Sequence, residues 1–257
     1  MPRPLLAPVA AAAGAVVLAL CAAPAPAAAS GTAAAPASST GQWPGCTVTV
    51  PPPTPQERDL YLCGDPRLGP AELPRGGVVG ELLTEYDRLG ALTPVAFVAR
   101  HRETGVDNAT GEVTESWRYP AHDGFAVENG EVQRAVETVR EGTLLDRFGS
   151  ARGSFLAPAD TPFPERALPP DSLNTWPGGP EHNYRCYAVT EDFAAEVGPI
   201  APAFEQPGGG EQVLLGPDLV PEAGGLDRLG ADSMVEWGYL DVRPARECDV
   251  DGAAPAR

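Results

Sequence analysis

The chain contains no lysine: its 18 basic residues are all arginine, they face 35 acidic ones, and the formal net charge is −17. That balance excludes a nucleic-acid partner, because binding to a phosphate backbone gains from counterion release only where a cationic face exists. An anion site in this protein must therefore be built from guanidinium groups, backbone N–H groups and the three histidines. Familiar catalytic signatures are missing too. There is no Gly-x-Ser-x-Gly elbow, no His-Glu-x-x-His, no Walker loop, and no Gly-x-Gly-x-x-Gly opening a helix after a strand. Most hydrolase and nucleotide-fold readings fall with them. The absence of any Cys-x-x-Cys pair argues against zinc.

A long apolar run occurs once, at the start. Arg3, an Ala/Val/Leu stretch through Leu20 and small residues to Ala27-Ala28-Ala29 have the layout of a secretory signal, which predicts a mature start near Ser30. Pro8, Pro24 and Pro26 break the run, so it falls short of the ~20 residues of a membrane span. Cys21 follows Leu18-Ala19-Leu20, a larger residue than lipoprotein signals accept. The expectation is a secreted, extracellular protein with no transmembrane anchor. Loss of the signal leaves Cys46, Cys63, Cys186 and Cys248, an even set for an oxidising compartment. Two disulfides are expected: Cys46–Cys63 within an N-terminal lobe, and Cys186–Cys248 tying the C-terminal tail to the core.

The organisation read along the chain is a signal over 1–29, a flexible Ala/Ser/Thr tether over 30–42, an N-terminal lobe over 43–140, a catalytic domain over 141–242 and a tail over 243–257. Val/Thr alternation after Cys46 suggests a strand, and Cys63 to Pro70 reads as turn. Val78, Val79, Leu82, Leu83, Tyr86 and Leu89 fall on one helical face, with Gly90 placed to end the helix. Short strands are expected at 95–98, around 117–119, at 184–189 and at 212–215. Asn108-Ala109-Thr110 is an N-glycosylation sequon read as chance.

Arg147 and Arg166 stand among apolar and turn residues instead of in charge runs. A guanidinium in such a place must be paired, and its planar fork fits phosphate oxygens; the alternative is a structural bridge, for Arg147 to Asp146 or Glu165. Phe148 and Phe155 flank Gly149, Gly153 and Ser154, so two rings lie beside backbone that a ligand can approach closely; core packing is the alternative. Gly208-Gly209-Gly210 follows Pro207 and precedes a strand pattern, which reads as a tight turn and not a phosphate cradle. On that strand Glu211 and Gln212 point to opposite faces, so one of the two can line a site. An exposed strand amide is the alternative for Gln212.

Taken in order, Asp146-Arg147-Phe148-Gly149, Gly153-Ser154-Phe155-Leu156-Ala157-Pro158, Glu165-Arg166-Ala167-Leu168-Pro169-Pro170 and Gln206-Pro207-Gly208-Gly209-Gly210-Glu211-Gln212 resemble the TNT domain, the family of the tuberculosis necrotizing toxin. Cys63 to Pro70, Tyr86 to Gly90 and Leu173-Asn174 resemble the fungal surface NAD glycohydrolases of the same group. The resemblance implies an α+β fold around a small, twisted, mixed β core of the TNT and ADP-ribosyltransferase-toxin type, with an added N-terminal disulfide-containing lobe. It implies an NAD(P)+ glycohydrolase, with an ADP-ribosyltransferase or cyclase and a non-catalytic NAD-binding protein as the rivals. NAD(P)+ is then substrate and no cofactor is required. Gln212 takes the catalytic position together with Arg147, and Arg147, Phe148, Ser154, Phe155 and Arg166 bind the substrate. His182 matches the toxin's histidine only loosely, and Ala203-Phe204 stands where the toxin has a tryptophan. A homodimer, an immunity protein and a structural calcium ion near the C-terminus also come with the family. Asp241, Glu247, Asp249 and Asp251 supply carboxylates there, but they form no EF-hand loop and read as a solvated tail.

Overall fold

The computed structural model describes residues 45–46, 52–106 and 110–249. The signal, the tether, the strand after Cys46 and Asn108 of the sequon lie outside the described residues. By internal contacts the chain divides into Met1–Thr40 and Gly41–Arg257, and all described residues belong to the second unit.

Helices are short, and two of them begin at side-chain caps. α1 (Pro55–Leu60) starts on Thr54, whose hydroxyl accepts from the Glu57 N–H while the Glu57 carboxylate accepts from the Thr54 N–H. α2 (Gly77–Leu82) buries Val78, Val79 and Leu82. Its expected extension to Leu89 does not form: turns follow Leu83, and Glu85 takes a φ of 65°, which no helix accommodates. Leu83 and Leu89 are buried all the same, as the apolar pattern required. α3 (Pro94–His101) replaces the strand expected at 95–98. Thr93 accepts from the Ala96 N–H and Pro94 occupies the first turn, a start signal that outweighs the β-branched residues behind it.

A hairpin of β1 (Arg102–Val106) and β2 (Val113–Trp117) follows, and then a small ribbon of β3 (Val127–Glu128) and β4 (Glu131–Val132). The main sheet has seven strands: β5 (Ala135–Val139), β6 (Leu144–Phe148), β7 (Phe155–Pro158), β8 (Tyr184–Val189), β9 (Phe193–Pro199), β10 (Glu211–Leu214) and β11 (Leu240–Arg243). Their spatial order is β11-β8-β6-β7-β10-β9-β5, and every pairing is antiparallel. The fold is thus α+β with an antiparallel sheet. β5, from the segment ahead of residue 140, forms one edge.

One core packs Leu145, Leu156, Tyr187, Phe193, Val213 and Leu215 against α4 (Ala231–Glu236) through Ala231 and Met234. A second gathers Phe148, Phe163, Leu173 and Tyr184 under Val78, Val79 and Leu82 of α2. A third lies around Leu68, Leu89, Phe97, Trp117 and Phe204. Both expected disulfides are present, Cys46–Cys63 and Cys186–Cys248, with Cα separations of 5.2 and 5.8 Å. The second pins Ala245–Cys248 against β8, and both of its cysteines are buried. Replacing Cys186 and Cys248 together by alanine should lower unfolding stability by about 2–4 kcal/mol. A chemical-denaturation midpoint that does not move would contradict this.

Candidate active site

The cleft begins at β6. Neighbours on a strand face opposite ways, so Asp146 and Arg147 are not partners. Asp146 is fully buried and meets Arg166 from the 3-10 turn Phe163–Arg166: Nη1 of Arg166 donates to its Oδ1, and Nη2 donates to its Oδ2 at 2.9 Å. Tyr184 on β8 donates its hydroxyl to the same Oδ2 at 2.8 Å. Burial pushes the Asp146 carboxyl up, against the pull of Arg166 and Tyr184. Arg166 also donates from Nε to the Thr161 carbonyl at 2.8 Å, so three of its five N–H donors are engaged inside the protein. Its guanidinium lies 5.4 Å from the centre of the Phe148 ring.

Arg147 is placed differently. It donates from Nη1 to the Phe155 carbonyl at 2.6 Å, its Nε is buried without a partner, and among the described residues no carboxylate forms an ion pair with it. Burial pulls its pKa down to about 10, with Arg185 and Arg228 pushing the same way against Tyr187 and Asp232. It stays charged at neutral pH. Glycine makes its seat possible: a Cβ on Gly149 or Gly153 would stand 2.5 or 2.0 Å from Nη2.

Gln212 is buried on β10 while Glu211 beside it is exposed, as strand alternation required. Its Nε2 donates to the Asp123 carbonyl at 3.0 Å. Asp123 (φ 57°) and Gly124 (φ 83°) form a left-handed turn, and Arg134 holds the Asp123 carboxylate at 3.1 Å. Gly208 and Gly210 donate their N–H groups to the Pro164 and Glu165 carbonyls, so the Gly-rich turn is packing and not a phosphate cradle.

A cavity of about 560 Å³ joins Arg147, Phe148, Phe155, Arg166 and Gln212, with Tyr119, Asp123, Gly124 and Arg228 on its walls. Five of the six anticipated residues therefore converge. Phe155 is 37% exposed at the rim, whereas Phe148 packs edge-on to Phe163 at 5.0 Å and is mostly core. The sixth, Ser154, lines an adjoining pocket instead, its Oγ accepting from Arg228 Nε at 3.2 Å. His182 is not on the cavity wall. Phe204 is buried against Trp117 and Tyr119, and Tyr119 supplies the aromatic wall in its place. Tyr119, Asp123 and Arg228 were not read from the sequence. An Asp-Gly dipeptide is a turn signal, but nothing local ties it to Gln212.

Among the described residues no group of three His, Cys, Asp or Glu side chains could hold a metal ion, which leaves the expected calcium without support there; Asp251 lies outside them.

These features define an α+β domain with a cleft in which the Arg147 guanidinium, without a carboxylate partner, and the backbone-held Gln212 amide share one cavity. Residues 138–241 match the family model of the tuberculosis necrotizing toxin. The chain is 44% identical over 159 residues to the conidial surface nicotinamide adenine dinucleotide glycohydrolase of Aspergillus fumigatus, covering 62% of this chain and 65% of that protein. The chain thus spans less than two thirds of that relative's length. The solved structure of tuberculosis necrotizing toxin complexed with its immunity factor aligns at a TM-score of 0.43 and 20% identity, covering 74% of this chain and 83% of that one.

The two arginines should separate in stability. Arg166→Ala leaves the Asp146 charge buried without its ion-pair partner, with the Tyr184 hydroxyl as its remaining donor, and should cost about 3–5 kcal/mol. Arg147→Ala removes a desolvated charge with no carboxylate partner and should cost less than about 1 kcal/mol. Equal losses in chemical denaturation would make Arg147 a structural residue.

Proposed function

We propose that this protein is a secreted NAD(P)+ glycohydrolase that cleaves the nicotinamide–ribose N-glycosidic bond and releases nicotinamide and ADP-ribose. The observation that carries the reading is the meeting of Arg147 and Gln212 in one cleft, within a chain 44% identical over 159 residues to a protein named for this activity. That relative is named as a conidial surface protein, and among the described residues no helix is long and apolar enough to cross a membrane. The relative's surface location suits export, as the signal-like first residues do.

The chemistry asks for little acid–base work. Nicotinamide departs with the bonding electron pair, which neutralises its own ring cation, and leaves an oxocarbenium-like ribose. Water adds to the anomeric carbon, and its proton goes to solvent. The enzyme's task is to hold the dinucleotide and orient the ribose, which is positioning and electrostatic work. In this reading Arg147 takes the diphosphate, with its unpaired charge as the reason it binds there. Arg166, its charge matched by Asp146, shapes the floor beneath and offers its remaining donors. Phe155 covers the nicotinamide from the rim, and Phe148 backs the wall. Ser154 acts at one remove by accepting from Arg228. Gln212 holds the ribose diol; the Asp123 carbonyl fixes one side of its amide, and the carbonyl oxygen and second N–H serve the ligand.

Incubation of the purified protein with NAD, followed by chromatography, should yield nicotinamide and free ADP-ribose. Cyclic ADP-ribose would redirect the reading to a cyclase, and unchanged NAD would sink it. Gln212→Ala should lower turnover at saturating NAD roughly 10²-fold or more, as for a contact strengthened in the transition state. Glu211→Gln, with its side chain facing away, should be mild. An inactive Glu211→Gln beside an active Gln212→Ala would transfer the catalytic role to the carboxylate.

A further inference from the structure

Three arginines bond to the stretch that carries the chain from the end of β6 into β7. Arg147 donates from Nη1 to the Phe155 carbonyl at 2.6 Å, Arg185 on β8 donates from Nε to the Gly149 carbonyl at 2.9 Å, and Arg228 donates from Nε to the Ser154 hydroxyl at 3.2 Å. Arg147 and Arg185 are direct cross-strand partners on β6 and β8, and like charges placed so cost stability. Among the described residues none of the three forms an ion pair with a carboxylate. Asp218 and Asp227 border the pocket beside Arg228, but both are exposed and neither is paired with it. In a chain with 35 acidic residues and 18 arginines, such a gathering of unmatched guanidiniums favours an external anion.

Arg147 and Arg228 both line the cleft, whereas Arg185 does not. The two cleft arginines hold consecutive residues, Phe155 and Ser154, and the Arg147 guanidinium fills the space of a Cβ on Gly153. Both heads therefore lie against the same three residues. Arg228 is exposed, yet the backbone behind it is fixed: Leu229 and Ala231 are fully buried, and the Ala231 N–H donates to the Gly153 carbonyl at 3.1 Å. Ser154 is itself buried and engages Nε alone. The two terminal nitrogens of Arg228, with four of its five N–H donors, make no hydrogen bond among the described residues. A diphosphate presents two adjacent phosphates, and two guanidinium forks anchored on adjacent residues match it.

We propose that Arg228 is a second diphosphate-binding residue, acting beside Arg147, and that the buried Ser154 hydroxyl aims it. The proposal rests on the NAD reading of this cleft and gives a substrate contact to a residue outside the sequence motifs.

The test is titration of ADP-ribose into the full chain and into Arg228→Gln, together with hydrolysis of NAD and NADP by both. In the variant the ADP-ribose affinity should fall about tenfold or more, as for a lost charge-assisted contact. KM should rise by equal factors for NAD and NADP with kcat little changed, and the melting temperature without ligand should not move. Ser154→Ala should weaken ADP-ribose in the same direction, and should add no further loss to Arg228→Gln. Unchanged ADP-ribose affinity overturns the proposal. So does a loss confined to NADP, which would give Arg228 the 2′-phosphate, and so does a Ser154→Ala loss that persists in full beside Arg228→Gln. A chain that binds ADP-ribose through Arg228 but leaves NAD uncleaved upholds the clamp and overturns the hydrolase reading instead.

Discussion

The Asp146 carboxylate, buried under the sheet, is held there by both terminal nitrogens of Arg166 and by the Tyr184 hydroxyl. A lone carboxylate in that position would be costly to bury. With three donors around it the charge is answered, and three distant segments are joined: β6, the turn Phe163–Arg166 and the start of β8. Phe148 fills the space beneath Arg166 and packs on both Phe163 and Tyr184. The cleft floor is therefore a polar network resting on aromatic rings. Because strand geometry sends Asp146 and Arg147 to opposite sides, the same network leaves Arg147 without a carboxylate.

Arg147 and Gln212 are oriented by backbone more than by side chains. Arg147 donates to the Phe155 carbonyl, and its guanidinium fills space that a Cβ at Gly149 or Gly153 would occupy. Gln212 is fixed by the Asp123 carbonyl at a left-handed turn. The Gly-rich turn serves this packing as well. A Cβ at Gly210 would lie 2.6 Å from Thr161 Cγ2, so glycine there lets β10 close onto the segment that carries Arg166. Both groups are thereby presented with little freedom to lose on binding.

Features set by local rules were legible in the sequence. Alternation along β10 put Glu211 and Gln212 on opposite faces, with the motif singling out Gln212 as the inward one, β8 formed where alternation placed it, and the even set of four cysteines gave two bridges. The ordered motifs picked out five residues that line one cavity. Misread elements had competing local signals: Thr93-Pro94 started a helix where Val95 and Val98 suggested a strand, and turns ended α2 before its apolar stripe did. What stayed hidden depends on long-range contact. Asp146 and Arg166 are 20 residues apart, with other acids and arginines equally eligible, and Asp123 is 89 residues from the amide it holds. Which of the two arginines would be the bridge could not be settled without the fold.

The account rests on Arg147 being a ligand-binding charge and not a structural one. Titration calorimetry of ADP-ribose into the full chain and into Arg147→Gln tests this directly, since a charge-assisted contact to a ligand accounts for about 1.5–3 kcal/mol. The predicted result is an affinity weakened at least tenfold in the variant, with an unchanged melting temperature in the absence of ligand. Unchanged affinity together with a lowered melting temperature would contradict the account.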